Sequence, residues 1–178
     1  MRKIVLTFGL IAGAILAAVM IVEFALPSRI GFQSGYIVGY TSMVIAFLMV
    51  YFGVRAYRDN VAGGRIGFGR AFVVGLLITA VATACYVATW EVIFYQVAPD
   101  FADKYAAYAV DKVRQSGATD AQVAAKVQEM AKFKEAYRNP LVNVAYTILE
   151  PLPVGILFTL VTAGVLSRKR RHEGAAAA

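Results

Sequence analysis

Charged residues, cysteine and histidine are all scarce in this chain of 178 residues. Only 16% of the residues are charged and 60% are hydrophobic, whereas about a quarter of a soluble domain is charged. Cys85 and His172 are the single representatives of their types. The sequence therefore excludes a disulfide framework, metal sites built from His or Cys, and Cys–His or Ser–His nucleophiles. The low charge indicates an integral membrane protein with one domain.

Four apolar segments are suited to cross a membrane. A spanning helix needs about 17–25 apolar residues, and three segments of that length are nearly free of charge, while a shorter one, residues 35–52, has none. The predicted spans cover residues 4–26, 35–57, 68–95 and 141–166. The predicted fold class is therefore an all-α membrane protein with four transmembrane helices. It forms a single membrane domain over residues 1–171, followed by a disordered tail over residues 172–178.

The first apolar segment could also be interpreted as a cleaved signal peptide. Arg2 and Lys3 would supply its basic beginning. However, the segment is longer than a typical apolar signal region, and no A-x-A cleavage site follows it. Gly9, Gly13 and Ala17 form a stripe of small residues suited to helix packing. These features favour a membrane span.

The net charge of +7 follows the distribution that the positive-inside rule gives for four spans. Ten basic residues fall on one side of the membrane, opposed there only by Asp59 and Glu173. They are Arg2, Lys3, Arg55, Arg58, Arg65, Arg70, Arg168, Lys169, Arg170 and Arg171. We therefore predict that both termini are cytoplasmic. The lipid bilayer explains the surplus positive charge, and nucleic acid is not expected as a partner.

A nearly neutral polar segment separates the third and fourth spans, with seven basic and six acidic residues between positions 96 and 140. Pro99 suits the first turn of a helix that ends at Gly117. Thr119 and Gln122 form a capping box at the start of a second helix. We predict an extracytoplasmic helical hairpin over residues 99–138, either packed on itself or offering a surface to a protein partner.

Three glutamates, Glu23, Glu91 and Glu150, lie within the predicted spans. Ionisable residues in a membrane are functional hypotheses by default. Glu23 and Glu91 lie within about one helical turn of the outer ends of their spans, where a carboxylate can reach the headgroups. Glu150 lies roughly 13 Å inside its span, at about 1.5 Å per residue, and is the most unusual of the three.

Two prolines follow Glu150 and predict a break in the helix. Pro151 and Pro153 lack the amide donors that would bind two carbonyl groups of the preceding turn, and these carbonyls need other partners at this depth. In one interpretation Glu150 is a neutral acid that donates to a neighbouring carbonyl. In the other, Glu150 and the freed carbonyls form a cation or proton site, as in the broken helices of transporters, with Glu91 as a second member. We favour the neutral acid.

A charged cluster follows the second span. Arg55, Arg58 and Asp59 could contact anionic lipids or a partner at the cytoplasmic face. Alternatively they are ordinary topology-setting charges, with Asp59 paired to an arginine, and this second interpretation is the simpler one.

Seven short motifs occur in order along the chain. They are G-Y-T-S-M (39–43), Y-F-G-V-R-A-Y-R-D-N (51–60), G-F-G-R-A-F-V-V-G-L (67–76), Y-V-A-T-W-E-V (86–92), P-D-F-A-D-K-Y (99–105), Y-R-N-P-L (137–141) and L-E-P-L-P-V-G (149–155). Their order and spacing resemble the DUF4199 family of bacterial membrane proteins, a domain of unknown function, over residues 9–166. The resemblance implies a four-span protein with a helical outer insertion. It supplies no activity, cofactor or catalytic residue.

The resemblance also implies that certain residues are family features, while Glu23 lies outside the motifs. These residues are Arg55, Arg58, Asp59, Trp90, Glu91, Asp100 and Glu150. We predict a non-enzymatic scaffold or accessory subunit of the bacterial inner membrane, without cofactor or metal, whose partner is another protein or a second copy. The alternative is a small transporter or ion-binding membrane protein that uses Glu150 with Glu91. An intramembrane hydrolase would need a nucleophile–base pair or metal ligands that the spans lack.

Overall fold

A computed structural model describes residues 1–25 and 32–167, in which every regular element is helical and no strand occurs. The helices are α1 (Arg2–Ala25), α2 (Phe32–Asn60), α3 (Phe68–Val92), α4 (Phe101–Gln115), α5 (Asp120–Tyr137), α6 (Pro140–Leu149) and α7 (Leu152–Leu166). A π-helical turn, Ile93–Val97, continues α3. The all-helical prediction is confirmed for this part of the chain. The predicted tail, residues 172–178, lies outside the described residues.

Four segments are long and apolar enough to cross a membrane, which confirms the predicted number of spans. They are Arg2–Ala25, Ser34–Asn60, Phe68–Val97 and Pro140–Leu166. The last segment contains both α6 and α7. Each predicted span falls on one of these segments, because uninterrupted apolar sequence is the dominant signal for a membrane helix.

The third span is the central helix, since α3 packs against α1, α2, α6 and α7. The stripe of small residues on α1 lies against α3. A Cβ atom added to Gly13 would lie 2.5 Å from the Cβ of Cys85, and one added to Gly9 would lie 2.6 Å from the Cβ of Val81. The two helices are therefore as close as glycine permits, which is the packing that small residues favour in membranes.

A second close approach joins α3 and α7, and it is reciprocal. Gly155 of α7 faces Thr79 of α3, where an added Cβ would lie 2.3 Å from the Thr79 Cγ2 atom. Gly75 of α3 in turn faces Thr159 of α7 at 2.9 Å. The two threonine hydroxyls lie 3.2 Å apart and share a hydrogen bond. Helices α3 and α7 are therefore tightly packed where these four residues meet.

The helix is interrupted between α6 and α7, next to Glu150. Helix α6 ends at Leu149 and α7 begins at Leu152. Glu150 (φ −73°, ψ −57°) and Pro151 (φ −79°, ψ −19°) nevertheless keep right-handed helical dihedral angles. The interruption is thus a local loss of backbone hydrogen bonds without unwinding of the chain, and helical bonding resumes where the Gly155 amide donates to the Pro151 carbonyl at 2.9 Å.

Helices α4 and α5 are consecutive and pack against each other. Helix α4 begins at Phe101, so Pro99 lies in the turn before the helix and not in its first turn as expected. Gly117 has a positive φ of 78°, as expected for a residue that ends a helix. The capping box of Thr119 and Gln122 is present. An ion pair between Lys134 and Asp103 joins the two helices.

Candidate functional site

A cavity of about 1170 Å³ lies at one end of the bundle. It is bounded by the second halves of α1, α3 and α6 and by the first half of α2, with α4 and α5 on the remaining side. We call it the outer cavity, because the sequence predicts that this end of the bundle is extracytoplasmic. Its lining residues include Glu23, Tyr36, Gly39, Tyr86, Trp90, Phe101, Tyr105, Tyr137, Tyr146 and Glu150. The lining thus combines two carboxylates from the membrane spans with many aromatic side chains.

Glu150 has a defined partner in this cavity. The Tyr86 hydroxyl of α3 donates a hydrogen bond to the Glu150 Oε2 atom at 2.8 Å. Glu23 lines the same cavity, and its Oε1 atom is buried without a hydrogen-bond partner among the described residues. Within residues 1–25 and 32–167, neither carboxylate forms an ion pair with a lysine or an arginine.

The carbonyl groups freed by the prolines are not bonded by Glu150. The amides of Pro151 and Pro153 would have served the carbonyls of Thr147 and Leu149. In the described part of the chain Glu150 accepts from Tyr86, and no donation from Glu150 to either carbonyl occurs. In the structure Glu150 is therefore a hydrogen-bond acceptor, a role that an ionised carboxylate can fill.

Asn143 fixes α6 against α3. The Trp90 Nε1 group donates to the Asn143 Oδ1 atom at 2.8 Å, and the Thr147 hydroxyl donates to the Asn143 carbonyl at 2.9 Å. Asn143 is completely buried. Since Glu150 lies two helical turns after Asn143, the Trp90–Asn143 bond also determines where Glu150 meets Tyr86.

These contacts belong to a polar seam on α3, formed by Thr79, Thr83, Tyr86 and Trp90. Their spacing of four, three and four residues places them on one helix face. The seam contacts α6 and α7 from Asn143 to Thr159. Sequence reasoning missed Tyr86 and Asn143 as site residues. The regular polar spacing within an otherwise apolar helix was the signal that could have found the α3 face.

The opening of the outer cavity has paired charges. Lys104 and Asp100 on α4 form an ion pair at 2.7 Å, and Lys126 and Glu129 on α5 form another at 2.8 Å. These residues and Lys132 line the cavity on the α4–α5 side. Lys104 and Lys126 are therefore engaged by their own acids, while Lys132 forms no ion pair among the described residues.

Aromatic contacts connect α2 and α3 to α4. The Tyr36 hydroxyl of α2 donates to the Tyr105 hydroxyl of α4 at 3.0 Å, and Phe32 stacks on Tyr108 with ring centroids 5.1 Å apart. Trp90 contacts Phe101 edge-on at 4.7 Å. Such pairs have defined geometry, so the walls of the cavity are shaped by interlocked rings.

Tyr137 at the end of α5 belongs to the same aromatic wall. It is buried and contacts Phe133 at 4.9 Å and Phe94 at 5.5 Å between ring centroids. Burial disfavours the charged phenolate and raises the pKa of Tyr137 to about 12. Tyr137 is therefore neutral at physiological pH.

Glu91 is placed differently from Glu150. It is not among the residues that line the outer cavity, although its neighbour Trp90 is, because successive residues of a helix point about 100° apart. The Glu91 Oε1 atom is buried without a hydrogen-bond partner in the described part of the chain. Among the glutamates of the apolar spans, the one that shares the cavity with Glu150 is Glu23, which lies outside the family motifs.

The charged cluster at the end of α2 is internally paired. The Arg58 Nε atom lies 2.7 Å from one Asp59 carboxylate oxygen, and the Arg55 Nε atom lies 3.7 Å from the other. This arrangement matches the simpler interpretation, in which Asp59 pairs with arginine. Contact of this cluster with lipid or a partner stays a prediction.

Metal ligands do not cluster in the described residues. No group of three or more His, Cys, Asp and Glu side chains there could hold a metal ion. His172 lies outside the described residues.

Comparison with known proteins gives one match. The model of the family described as "Protein of unknown function (DUF4199)" matches residues 7–168. This interval contains all seven motifs identified in the sequence, together with Tyr86, Asn143, Glu23 and Glu150. No curated protein and no solved structure matches the chain.

Proposed function

The chain belongs to the DUF4199 family of proteins of unknown function, and on the basis of the outer cavity we propose that it is a membrane protein that binds a cation and is not an enzyme. The observation that carries this proposal is the Tyr86–Glu150 hydrogen bond in a cavity that also contains Glu23. We place the site in the bacterial inner membrane, with both termini cytoplasmic and α4 and α5 outside.

An unpaired carboxylate in a membrane span is costly when ionised. Such a group becomes neutral or acquires a positive partner. Tyr86 supplies a hydroxyl donor to Glu150, and hydrogen bonding to the charged form favours that form. Lys104 and Lys126 of the cavity lining are engaged by their own acids, and the third lysine, Lys132, forms no ion pair with either glutamate among the described residues. We therefore take a bound cation as the partner that satisfies both Glu150 and Glu23.

A binding role fits the residues better than catalysis. The spans contain no histidine, and Cys85 is packed against Gly13 of α1. Covalent catalysis requires a nucleophile beside a base that activates it. The proposal therefore follows the transporter or ion-binding alternative, with Glu23 replacing Glu91 as the second carboxylate.

Chemical labelling tests this function directly. N,N′-Dicyclohexylcarbodiimide adds to carboxyl groups in apolar surroundings, and peptide mass analysis locates the adduct. We expect labelling at Glu150 that is slowed by at least one cation from a panel of Na⁺, K⁺, Mg²⁺, guanidinium and tetraphenylphosphonium. Glu150→Gln should lose that adduct. Glu91, in the apolar helix α3 and outside the cavity lining, serves as a control whose labelling is unaffected by the cations.

The result that would overturn cation binding is equally clear. If Glu150 is labelled at the same rate with and without every cation of the panel, the carboxylate is a structural neutral acid. That outcome would restore the interpretation favoured from the sequence.

The scaffold or accessory role remains a second candidate, favoured by the many large apolar side chains that the described spans expose. The small-residue stripe of α1 does not support it, since Gly9 and Gly13 already pack on α3. Crosslinking in native membranes followed by mild detergent extraction should recover a stoichiometric protein partner or a homo-oligomer. A monodisperse monomer without a partner would argue against this role.

A further inference from the structure

We propose that the ligand of the outer cavity is an organic cation with an apolar body, which enters sideways from the bilayer between α2 and α6. This inference rests on the proposed function and names the ligand class. It rests on the size of the cavity, its aromatic walls, the carboxylates of Glu23 and Glu150, and the sparse contact between α2 and α6.

The size of the cavity favours an organic molecule over a small inorganic ion. Pockets for small molecules commonly have volumes of about 300–1,000 Å³, and the outer cavity has about 1170 Å³. Hard cations such as Ca²⁺ require about six to eight oxygen ligands at short distances. Glu23 and Glu150 supply too few, and the other two acids of the lining, Asp100 and Glu129, are paired with lysines. No group of three or more ligands that could hold a metal occurs in the described residues.

The walls suit the body of an organic cation. Trp90, Tyr105, Phe101 and Tyr36 line the cavity beside the carboxylates. Aromatic faces attract cations within about 6 Å of the ring centroid, and tryptophan does so best. A ligand that places its charge near Glu150 therefore finds both a carboxylate for the charge and aromatic faces for its apolar surface.

The entrance is assigned from the sparse contact between α2 and α6. Helix α2 packs on α1, α3 and α7, whereas α6 packs on α3, α5 and α7, so that α2 and α6 have at most marginal contact. Gly35 and Gly39 of α2 line the cavity, and a Cβ at either position would meet no atom within 4 Å. The side of the cavity between α2 and α6 is therefore the route from the bilayer that meets the fewest protein atoms.

A matched pair of ions tests the ligand class. Tetraphenylphosphonium and tetraphenylborate have nearly the same size and shape and opposite charge. Trp90 is the single tryptophan of the chain and lines the cavity, so its fluorescence reports binding in purified protein. We expect a saturable response to tetraphenylphosphonium and none to tetraphenylborate. Glu150→Gln should weaken the phosphonium affinity at least about tenfold.

Two glycine variants test the entrance and guard against misfolding. Gly39→Leu fills open space in the cavity and should weaken phosphonium binding, with helix content and elution volume unchanged. Gly164→Leu adds the same side chain to α7, where an added Cβ also meets no atom within 4 Å and the cavity is not involved. It should bind as the unaltered protein does.

The outcomes distinguish a wrong ligand class from the absence of any cation binding. Equal responses to both ions, or unchanged affinity in Glu150→Gln and Gly39→Leu, would overturn the inference, because binding would then be adsorption to apolar surface. Protection of Glu150 from carbodiimide by Na⁺, K⁺, Mg²⁺ or guanidinium without phosphonium binding would overturn the ligand class and leave cation binding intact. Failure of every cation in both assays would overturn both.

Discussion

Asn143 shows how a single buried polar residue positions the candidate site. It accepts a hydrogen bond from Trp90 across the α3–α6 contact, and its backbone carbonyl accepts one from Thr147. Its Nδ2 group has no hydrogen-bond partner among the described residues. The Oδ1 atom of this amide therefore makes the hydrogen bond that joins α3 and α6.

Replacement of Asn143 by leucine should destabilise the protein. The Trp90 Nε1 donor would be left unpaired in a buried position, which costs about 1–3 kcal/mol. Thermal unfolding in detergent, followed by circular dichroism, measures the change. Asn143→Asp retains the acceptor for Trp90 and serves as the comparison. Equal stability of Asn143→Leu and the unaltered protein would show that the Trp90 bond does not hold α6 in place.

Residue-level prediction from the sequence succeeded for local features and failed for distant partners. The unusual character of Glu150, Pro151 and Pro153 is visible because these residues are adjacent in the chain. The pairing of Tyr86 with Glu150 joins residues 64 positions apart. It depends on how α3 and α6 pack, which local patterns do not contain. For the same reason Glu23 was underrated as a companion of Glu150.

At the scale of helices, the glycine–threonine contacts between α3 and α7 make a distinct prediction. Gly155→Ala places a Cβ against Thr79 Cγ2 and should destabilise the protein by about 1–3 kcal/mol through overpacking. Gly164→Ala is the control on the same helix, and it should be neutral or stabilising by up to about 1 kcal/mol because alanine favours helix. Thermal unfolding of both variants tests this, and equal effects would contradict the close approach.

The contact between α4 and α5 should depend on pH. The Lys134 ammonium group holds the pKa of Asp103 below its ordinary value. The pair therefore contributes stability above the ordinary pKa of aspartate, and this contribution is lost as pH falls through the lowered pKa. Since Asp103 is largely exposed and Lys134 is partly exposed, the effect is expected to be small.

Melting temperatures across a pH series measure this contribution. Asp103→Asn should melt below the unaltered protein at pH 7, and the difference should vanish in acid. Lys134→Gln should reproduce the loss, and the double variant should be no worse than either single one. Additive losses in the double variant would show that the two residues act independently.

Helix boundaries were predictable where the chain itself supplies the signal. The capping box of Thr119 and Gln122 and the positive φ of Gly117 are local and were anticipated from residue types. The π-helical turn Ile93–Val97 was not anticipated, because it continues an apolar segment without any proline or glycine. It delays the turn into α4, which begins at Phe101 instead of near Pro99.

At the scale of the whole molecule, the predicted orientation can be tested with single cysteines in a Cys85→Ala background. Ser116→Cys lies at the end of α4, and Val61→Cys lies in the turn between α2 and α3. By the positive-inside rule, a membrane-impermeant maleimide should label Ser116→Cys in intact cells. It should label Val61→Cys only after permeabilisation, and the reverse pattern would invert the topology.

Transport is a further step beyond binding, and flux measurements decide it. If the protein is a transporter, reconstituted vesicles should show proton- or cation-dependent flux that Glu150→Gln abolishes. Glu135→Gln, on α5 outside the cavity lining, should leave the flux unchanged. Equal flux in vesicles containing Glu150→Gln would contradict transport through the site, while the carbodiimide and fluorescence assays would still report binding.

The number of spans could be read from hydropathy, whereas the outer cavity could not. Apolar length determines whether a helix crosses a membrane. A cavity arises where neighbouring helices have little contact, as is the case for α2 and α6, and no segment of sequence carries that information alone.

The close fit of Gly9 and Gly13 of α1 against Val81 and Cys85 of α3 has a consequence for biosynthesis. Helices of a membrane protein insert before they associate, and α2 is synthesised between the two members of this contact. When α1 and α2 have left the ribosome, α3, to which α1 fits most closely, has not yet been synthesised. The amino-terminal half should remain loosely assembled until α3 arrives, and this interval is when a chaperone or quality-control protease would encounter it.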